Sequence, residues 1–168
     1  MPTVDGLFGP IEIAAPKPRS IKLRMIKAVY ENMTVKDNVT DYLTPNARYT
    51  SPSQIFETFS FLRNETKESF CTAHLDGKNR IVCLEIVSVG TLNQAIVTPR
   101  DTFKTALLSN AAAIILVHNH PTGDPTPSAE DLEVTRRLRE AGELLGIKVL
   151  DHIIVGDSYY SFVERGVI

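Results

Sequence analysis

A short apolar run, AAIILV at residues 112–117, places the strongest constraint on how this chain can fold. A run of this length, made of alanine, leucine and β-branched residues, is typical of a strand that is buried on both faces. A loop rich in proline and glycine follows, and the clearest helix of the sequence, SAEDLEVTRRLREAGELLG, then occupies residues 128–146. Ser128 stands where a helix N-cap is expected, and Gly146 stands where a glycine commonly ends a helix.

The neighbouring segments continue this alternation of strands and helices. The sequence predicts a hairpin over residues 69–90 around the Asp76-Gly77 turn, and a strand over residues 147–156 followed by the short segment YYSFVE. It also predicts helices over residues 100–110, with Phe103, Ala106 and Leu107 on one face, and from Ser51 or Ser53 through QIFETFSFL. Strands that alternate with helices predict a layered α/β domain.

Residues 1–50 differ in pattern from the rest of the chain. The first 20 residues carry prolines at positions 2, 10, 16 and 18 and show no hydrophobic period, so a flexible or docked arm is expected. Ser20 could cap a helix through IKLRMIKAVYENM. Five bases without an intervening acid fit either a nucleic-acid patch or a solvated helix face: Lys17, Arg19, Lys22, Arg24 and Lys27. The compact domain is expected over residues 51–168.

Composition and charge argue against several classes of protein. The formal net charge of -2 gives no overall signal for nucleic acid or for a membrane surface. The longest apolar run, AAAIILV at residues 111–117, is far shorter than the roughly 20 residues that a membrane helix needs. The N-terminus lacks the pattern of a secretion signal, and Cys71 and Cys83 are too few for a disulfide framework, so a cytoplasmic protein is expected.

The segment HNHPTGDPTPSAED, residues 118–131, joins the buried strand to the helix and carries three side chains that could bind a metal ion. His118 and His120 are two residues apart, so in extended backbone they project to the same side. Asp131 lies one helical turn after Ser128, where a carboxylate can face back toward the histidines. Two His and one Asp would leave a tetrahedral zinc ion one position for water, whose pKa zinc lowers toward about 7. The alternative is a strand end, a turn and a helix cap without a metal.

The spacing His-x-His, seven residues, Ser, two residues, Asp resembles the motif of the JAB/MPN (JAMM) metalloprotease domain. The text from VSVGTLNQAIV to GIKVLDHIIVG resembles one branch, the RadC-like proteins, over about residues 50–168. This resemblance implies a three-layer α/β/α domain with a mixed sheet, similar to the cytidine-deaminase-like architecture. It also implies that His118, His120 and Asp131 are zinc ligands, and that Ser128 hydrogen-bonds the metal-bound water or the developing oxyanion.

The resemblance further implies a glutamate general base near the start of an early strand, and three residues are candidates for it. Glu68 is preferred because it directly precedes SFCTAHLD, the stretch most similar to the family's first core strand. Glu65 fits a loop or helix end before that strand. Glu85 lies inside the apolar IVCLEIV, where a lone carboxylate is costly to bury. It fits a partner of a ligand histidine or a solvent-facing position.

Four further polar residues have plainer interpretations. His152 in LDHIIV could be a further ligand, but a hydrogen-bonded strand residue beside Asp151 is the preferred interpretation. His74 alternates with apolar neighbours, shows no partner in the sequence and is given no role. Arg100 could hold a substrate or anchor the following helix. Glu130 should point about 100° round the helix from the motif's aspartate, and so away from the metal.

These residues and the resemblance lead to one hypothesis and two alternatives. The hypothesis is a zinc-dependent hydrolase of amide bonds, a peptidase or isopeptidase that acts on a peptide or protein substrate. The first alternative is a non-catalytic JAB-type interaction module that has kept the fold. The second is a DNA-associated RadC-like protein, although longer RadC-like proteins carry a helix-hairpin-helix region that is not found in this sequence.

Overall fold

A computed structural model describes residues 3–6, 9–12, 27, 29–31, 48–90 and 97–168, and the chain divides into two compact units. The first unit, Met1–Tyr30, holds an antiparallel pair of strands, β1 (Thr3–Gly6) and β2 (Gly9–Glu12), which the sequence did not predict. Most of the helix predicted after Ser20 lies outside the described residues, as do four of the five clustered bases. The basic arm therefore stays a prediction.

The second unit, Glu31–Ile168, is built around one mixed sheet. Its strands are β3 (Ser69–Leu75), β4 (Ile81–Val89), β5 (Ala113–Asn119), β6 (Lys148–Val155) and β7 (Tyr159–Ser161). The helices described in this unit are α1 (Pro52–Thr58), a 3₁₀ helix (Ser60–Asn64), α2 (Pro99–Leu108) and α3 (Ala129–Leu145). The strand order is β4-β3-β5-β6-β7, with β5 and β6 parallel and the other neighbours antiparallel.

The central strand β5 is buried along its whole length, as its apolar run predicted. Ile115 and Val117 belong to the core on one face of the sheet, together with side chains of α1 and the 3₁₀ helix. Ile114 and Leu116 belong to the core on the other face, together with side chains of α2 and α3. Helices therefore cover both faces of the mixed sheet, which confirms the predicted three-layer α/β/α architecture.

Helix α3 begins and ends at the residues that the sequence marks. The Ser128 hydroxyl accepts a hydrogen bond from the Asp131 backbone N–H, and the Asp131 carboxylate accepts one from the Ser128 backbone N–H. These two bonds form a capping box. Gly146 follows the last turn with a φ of 71°, a left-handed conformation that glycine adopts without a Cβ clash. The first turn of α3 is thus held by the aspartate of the predicted ligand set.

Two details of the predicted helices are wrong. Ser51 caps α1 as one of the two serines considered, but the helix ends at Thr58 and a 3₁₀ helix follows. In α2, Phe103 and Ala106 are buried as expected, whereas Leu107 is 55% exposed. Leu107 lies about 100° round the helix from the buried Ala106 and so leaves the buried face. Within the described part of the chain, no helix has the length and apolar character needed to cross a membrane.

Replacing Ile115 by alanine tests how far the domain depends on its central strand. Because Ile115 is fully buried, the substitution leaves a cavity and should lower the free energy of unfolding by about 2–5 kcal/mol. Ile86→Ala is the matched control, because Ile86 on β4 is 54% exposed, and it should change the free energy of unfolding by less than about 1 kcal/mol. Chemical denaturation measures both values, and equal effects would contradict the assigned layers.

Candidate metal centre

The segment 118–131 crosses from the end of β5 to the start of α3. His118 is the last residue but one of β5 and is fully buried. His120 follows the strand directly and keeps 15% of its side chain exposed. Asp131 lies in the first turn of α3, with its side chain almost completely buried. The three predicted ligands therefore come from a strand, a loop and a helix that meet at one end of the sheet.

Their nitrogen and oxygen atoms face one another. The Nε2 atoms of His118 and His120 are 3.0 Å apart. Asp131 Oδ1 lies 3.2 Å from His118 Nε2, and Asp131 Oδ2 lies 3.5 Å from His120 Nε2. One ligand atom from each residue lies within 4.8 Å of the other two, so the group could hold a metal ion. No second trio of His, Cys, Asp or Glu side chains this close occurs among the described residues.

The charges of this group suit a cation. Burial alone would raise the pKa of the Asp131 carboxyl, but the contacts with His118 and His120 outweigh it and hold that pKa well below its usual range. The hydrogen bond to Asp131 raises the pKa of His120, although burial opposes this shift. The carbonyl of Asp124 and the charge of Glu68 raise it further. The group thus combines an ionised carboxylate with two imidazoles, which are common ligands of divalent metals.

The two oxygens of the Asp131 carboxylate have different partners, one in the helix cap and one at His118. The Ser128 backbone N–H and hydroxyl donate to Oδ2 at 2.7 and 2.6 Å. Oδ1 faces His118. A helix cap and a metal ligand, which the sequence offered as alternatives, are therefore compatible in one side chain. The contact of Ser128 with a water or an oxyanion stays a prediction.

The loop that carries His120 is held by the turn between β6 and β7. The His120 backbone N–H donates to the Val155 carbonyl at 2.9 Å, and the Asp157 N–H donates to the Gly123 carbonyl at 2.7 Å. A Cβ at Gly156 would lie 2.2 Å from the Gly123 carbonyl oxygen. Glycine is therefore required at this crossing, and the close approach of the two backbones keeps the loop against the sheet.

The second ring nitrogen of each motif histidine has its own partner. His120 Nδ1 donates to the Asp124 carbonyl at 2.7 Å, because a carbonyl oxygen can only accept. His118 Nδ1 lies 2.8 Å from His152 Nε2, and His152 Nδ1 lies 2.6 Å from the Thr135 hydroxyl. Partners of this kind orient a ligand histidine and leave its other nitrogen to a metal. The Nε2 atoms of both histidines are the ones that face Asp131.

The sequence suggested Asp151 as the partner of the His152 ring, and this prediction is wrong. The imidazole contacts His118 and Thr135, whereas the Asp151 carboxylate accepts hydrogen bonds from the His152 backbone N–H and the Ser161 hydroxyl. His152 is completely buried, and this burial, followed by the charge of His118, holds its pKa well below the ordinary value. His152 therefore lies behind His118 as a neutral ring. Sequence analysis missed this contact, which depends on how β6 aligns with β5.

Asn119, between the two motif histidines, faces away from them and holds the chain around Glu68. Its Oδ1 accepts from the Ser69 backbone N–H at 2.8 Å, and its Nδ2 donates to the Lys67 carbonyl at 3.2 Å. The two bonds thus flank the preferred base on either side. Glu68 is half-buried just before β3, and its charge contributes to the raised pKa of His120. The charge of Glu68 thus reaches His120, and its role as a base stays a prediction.

The other two candidate bases have surroundings that differ from those of Glu68. Glu65 is exposed and follows the 3₁₀ helix. Glu85 on β4 accepts a hydrogen bond from the Thr105 hydroxyl and lies 3.8 Å from His74 Nε2. Burial raises the pKa of the Glu85 carboxyl, and the nearby Lys104 charge opposes that shift. Glu85 thus contacts a buried histidine that is not a predicted ligand, so its interpretation as the partner of a ligand histidine is wrong.

His74 forms a second polar cluster with Glu85, although the sequence shows no partner for it. Its Nε2 is 3.0 Å from the Thr72 hydroxyl, and its Nδ1 is 2.9 Å from the Ser109 hydroxyl and 3.2 Å from the Cys83 sulfur. Cys83 lies opposite His74 on β4, which explains a contact that the linear sequence conceals. Burial lowers the pKa of His74 to about 4, so the ring is neutral at pH 7.

Two other residues lie at the surface. The Arg100 side chain at the start of α2 is 86% exposed and pairs with Asp101 at 3.5 Å. Glu130 is exposed on α3, as its helical position predicted. Glu130 is not part of the ligand group, and a contact between Arg100 and a substrate stays a prediction.

Asp131→Asn tests the ligand group with little disturbance of the helix. Asparagine keeps an oxygen that can accept from the Ser128 N–H but lacks the negative charge, so the metal content should fall several-fold. Glu130→Gln removes the neighbouring exposed carboxylate and should leave the metal content unchanged. Elemental analysis of protein purified without a metal-binding tag measures both. The double variant His118→Ala/His120→Ala should hold no metal, and equal contents in the parent and Asp131→Asn would contradict the ligand set.

Comparison with known proteins identifies the family of this chain. The sequence profile of the RadC-like JAB domain matches residues 49–167. A UPF0758 protein of Geotalea uraniireducens is 65% identical over 121 residues, which are 71% of this chain and 53% of that protein. UPF0758 proteins of Geobacter sulfurreducens and Methanosarcina mazei are 52% and 44% identical over 88% and 86% of this chain, and 65% and 63% of theirs. The chain thus spans about half to two thirds of the length of these curated relatives. It belongs to the RadC-like JAB domain family.

Proposed function

We propose that this domain is a zinc-dependent hydrolase of amide bonds, a peptidase or isopeptidase whose substrate is a peptide or protein. The observation that carries this proposal is the meeting of His118, His120 and Asp131 at one end of the sheet, with the charge of Glu68 acting on His120. Membership of the RadC-like JAB domain family supports it as well. The names of the relatives state no activity, so the chemistry is inferred from the side chains.

The donor set and its spacing fit zinc. Zinc binds imidazole nitrogen and carboxylate oxygen at about 2.0–2.2 Å, and a tetrahedral arrangement at such lengths separates the ligand atoms by roughly 3.3 Å. The two histidine Nε2 atoms are 3.0 Å apart, His118 Nε2 lies 3.2 Å from Asp131 Oδ1, and His120 Nε2 lies 3.5 Å from Asp131 Oδ2. Three protein ligands would leave a fourth position, which is the pattern of catalytic rather than structural zinc. A bound zinc ion would supply Lewis-acid polarisation of a water molecule and of the substrate carbonyl.

The side chains around this group divide the remaining tasks of amide hydrolysis. Glu68 would take a proton from the attacking water and deliver it to the leaving amine nitrogen, which is the role of a general base and then a general acid. Asn119 holds the backbone on both sides of Glu68 and so limits where the carboxylate can reach. Ser128 is exposed at the start of α3, and its hydroxyl would turn from Asp131 Oδ2 to donate to the oxygen of the substrate carbonyl.

Two rival functions stand against the hydrolase, namely a non-catalytic interaction module and a DNA-associated protein. A non-catalytic interaction module would keep the fold and could keep the metal while it cleaves nothing. A DNA-associated role rested on the basic residues of the first unit, most of which lie outside the described residues. Because the chain covers only part of its relatives, any activity of the longer proteins is also a proposal.

Glu68→Gln separates catalysis from metal binding. Glutamine has nearly the same shape but cannot accept the proton, so turnover should fall by about 10²–10⁴-fold while the zinc content stays at the parent value. Glu65→Gln, three residues upstream and exposed, is the matched control and should keep turnover. The zinc-loaded protein is incubated with peptides and with isopeptide-linked conjugates. Mass spectrometry then detects the cleavage products.

Each outcome has a distinct meaning. Turnover that survives in Glu68→Gln would show that another group is the base. A parent protein that holds zinc but cleaves none of these substrates would favour the interaction module over the hydrolase.

A further inference from the structure

The geometry points to His152 as a positioning residue for the metal centre. We propose that His152, with Thr135 behind it, fixes the tautomer and the orientation of His118, so that His118 offers its Nε2 lone pair to the ion. This role rests on the proposed metal-dependent function, but it concerns a residue outside the ligand set. His152 reaches the ion through His118 alone and would set the metal affinity indirectly.

The donor and the acceptor of each hydrogen bond can be assigned in turn, starting from Thr135. The Thr135 hydroxyl oxygen lies 2.5 Å from the Asp131 carbonyl oxygen. Two oxygens approach this closely only with a proton between them, and only the hydroxyl carries one. Thr135 therefore donates to Asp131. Its oxygen is left to accept from His152 Nδ1 at 2.6 Å, so the proton of the His152 ring is on Nδ1.

The rest of the chain of bonds follows from that proton. The His152 ring contacts no carboxylate within the described part of the chain, so it keeps only the proton on Nδ1, and its bare Nε2 lies 2.8 Å from His118 Nδ1. A hydrogen bond across this gap requires that His118 carry its own proton on Nδ1. His118 Nε2 is then unprotonated and faces His120 and Asp131. The opposite tautomer of His118 would set two bare nitrogens against each other and would block the metal-binding atom with a proton.

Packing holds these rings in place. His152, Thr135 and His118 are all completely or almost completely buried, so water does not compete for their hydrogen bonds. The His152 ring stacks on Phe162, with centroids 4.8 Å apart and planes at 26°, and it meets Phe70 edge-on at 5.7 Å. Phe70 also stacks on His118 at 6.1 Å. Neither imidazole can turn over without displacing an aromatic neighbour.

The same bonds connect two of the three ligands through the protein interior. Thr135 lies one turn after Asp131 on α3 and binds its carbonyl, while His152 on β6 binds His118 on β5. A shift at one ligand is therefore transmitted to the other. Partners of this kind commonly change metal affinity by 10–100-fold when they are removed.

The test compares the zinc affinity of variants at His152 with that of a variant at His74. The affinity is measured at constant pH by competition with a chelator. His152→Phe should bind zinc about 10–100-fold more weakly than the parent, and His74→Phe should bind like the parent. His74 is the matched control because it is equally buried and hydrogen-bonded, but its partners are Thr72 and Ser109. His152→Gln should recover part of the affinity, because its amide oxygen can accept from His118 Nδ1.

Threonine variants keep the test decisive if a ring substitution prevents folding. Thr135→Val preserves volume and removes the acceptor of the His152 proton, so it should also weaken zinc binding. Thr102→Val is its control, because the buried Thr102 hydroxyl has no hydrogen-bond partner among the described residues. Circular dichroism establishes which variants are folded.

A second measurement needs no metal. Long-range ¹H–¹⁵N NMR of the metal-free chain reports the imidazole tautomers, and His118 should carry its proton on Nδ1 in the parent but not in His152→Phe. A proton on Nε2 of His118 in the parent, or parent-like zinc affinity in both His152→Phe and Thr135→Val, would overturn the role of His152. A parent that binds no zinc would instead overturn the proposed function, and the tautomer would still be measured.

Discussion

The carboxylate of Asp131 joins the fold of this domain to its candidate site. One of its oxygens caps α3 through Ser128, and the other faces His118. A helix N-terminus carries a partial positive charge that favours an anion, and a metal ion would favour the same anion. One negative charge therefore stabilises the start of the helix and completes the ligand group. Because a shift of the first turn of α3 would move both oxygens, the helix and the site are fixed together.

The candidate site is fixed to the sheet by hydrogen bonds of the polar residues at the end of a buried strand. His118 and Asn119 end β5 inside the protein, where an unpaired polar group costs roughly 1–3 kcal/mol. Each has a partner from another element: His152 on β6, and the main chain around Glu68 just before β3. The hydrogen bonds that make burial tolerable are thus the ones that orient a predicted ligand and restrain the preferred base.

The elements nearest the site were predictable because their signals are local. The apolar run, the proline-rich loop and the capped helix each lie within a short stretch, and the common direction of the motif histidines follows from strand geometry. The partners of His152 and His74 were not predictable, because they depend on which strands become neighbours and in what register. β6 reaches its place beside β5 only after α3, and neither strand alone indicates that His152 lies opposite Leu116.

The two motif histidines differ in how firmly they are held, and this difference gives the centre an open side. His118 is enclosed by the sheet, with His152 behind it. His120 stands on a loop with 15% of its side chain exposed, and Ser128 at the helix start is exposed as well. A fourth metal ligand and a substrate would therefore approach from the side of His120 and Ser128. Glu68 is half-buried and acts on His120 through its charge, and we propose that it serves as the base on this open side while the interior fixes the ligands.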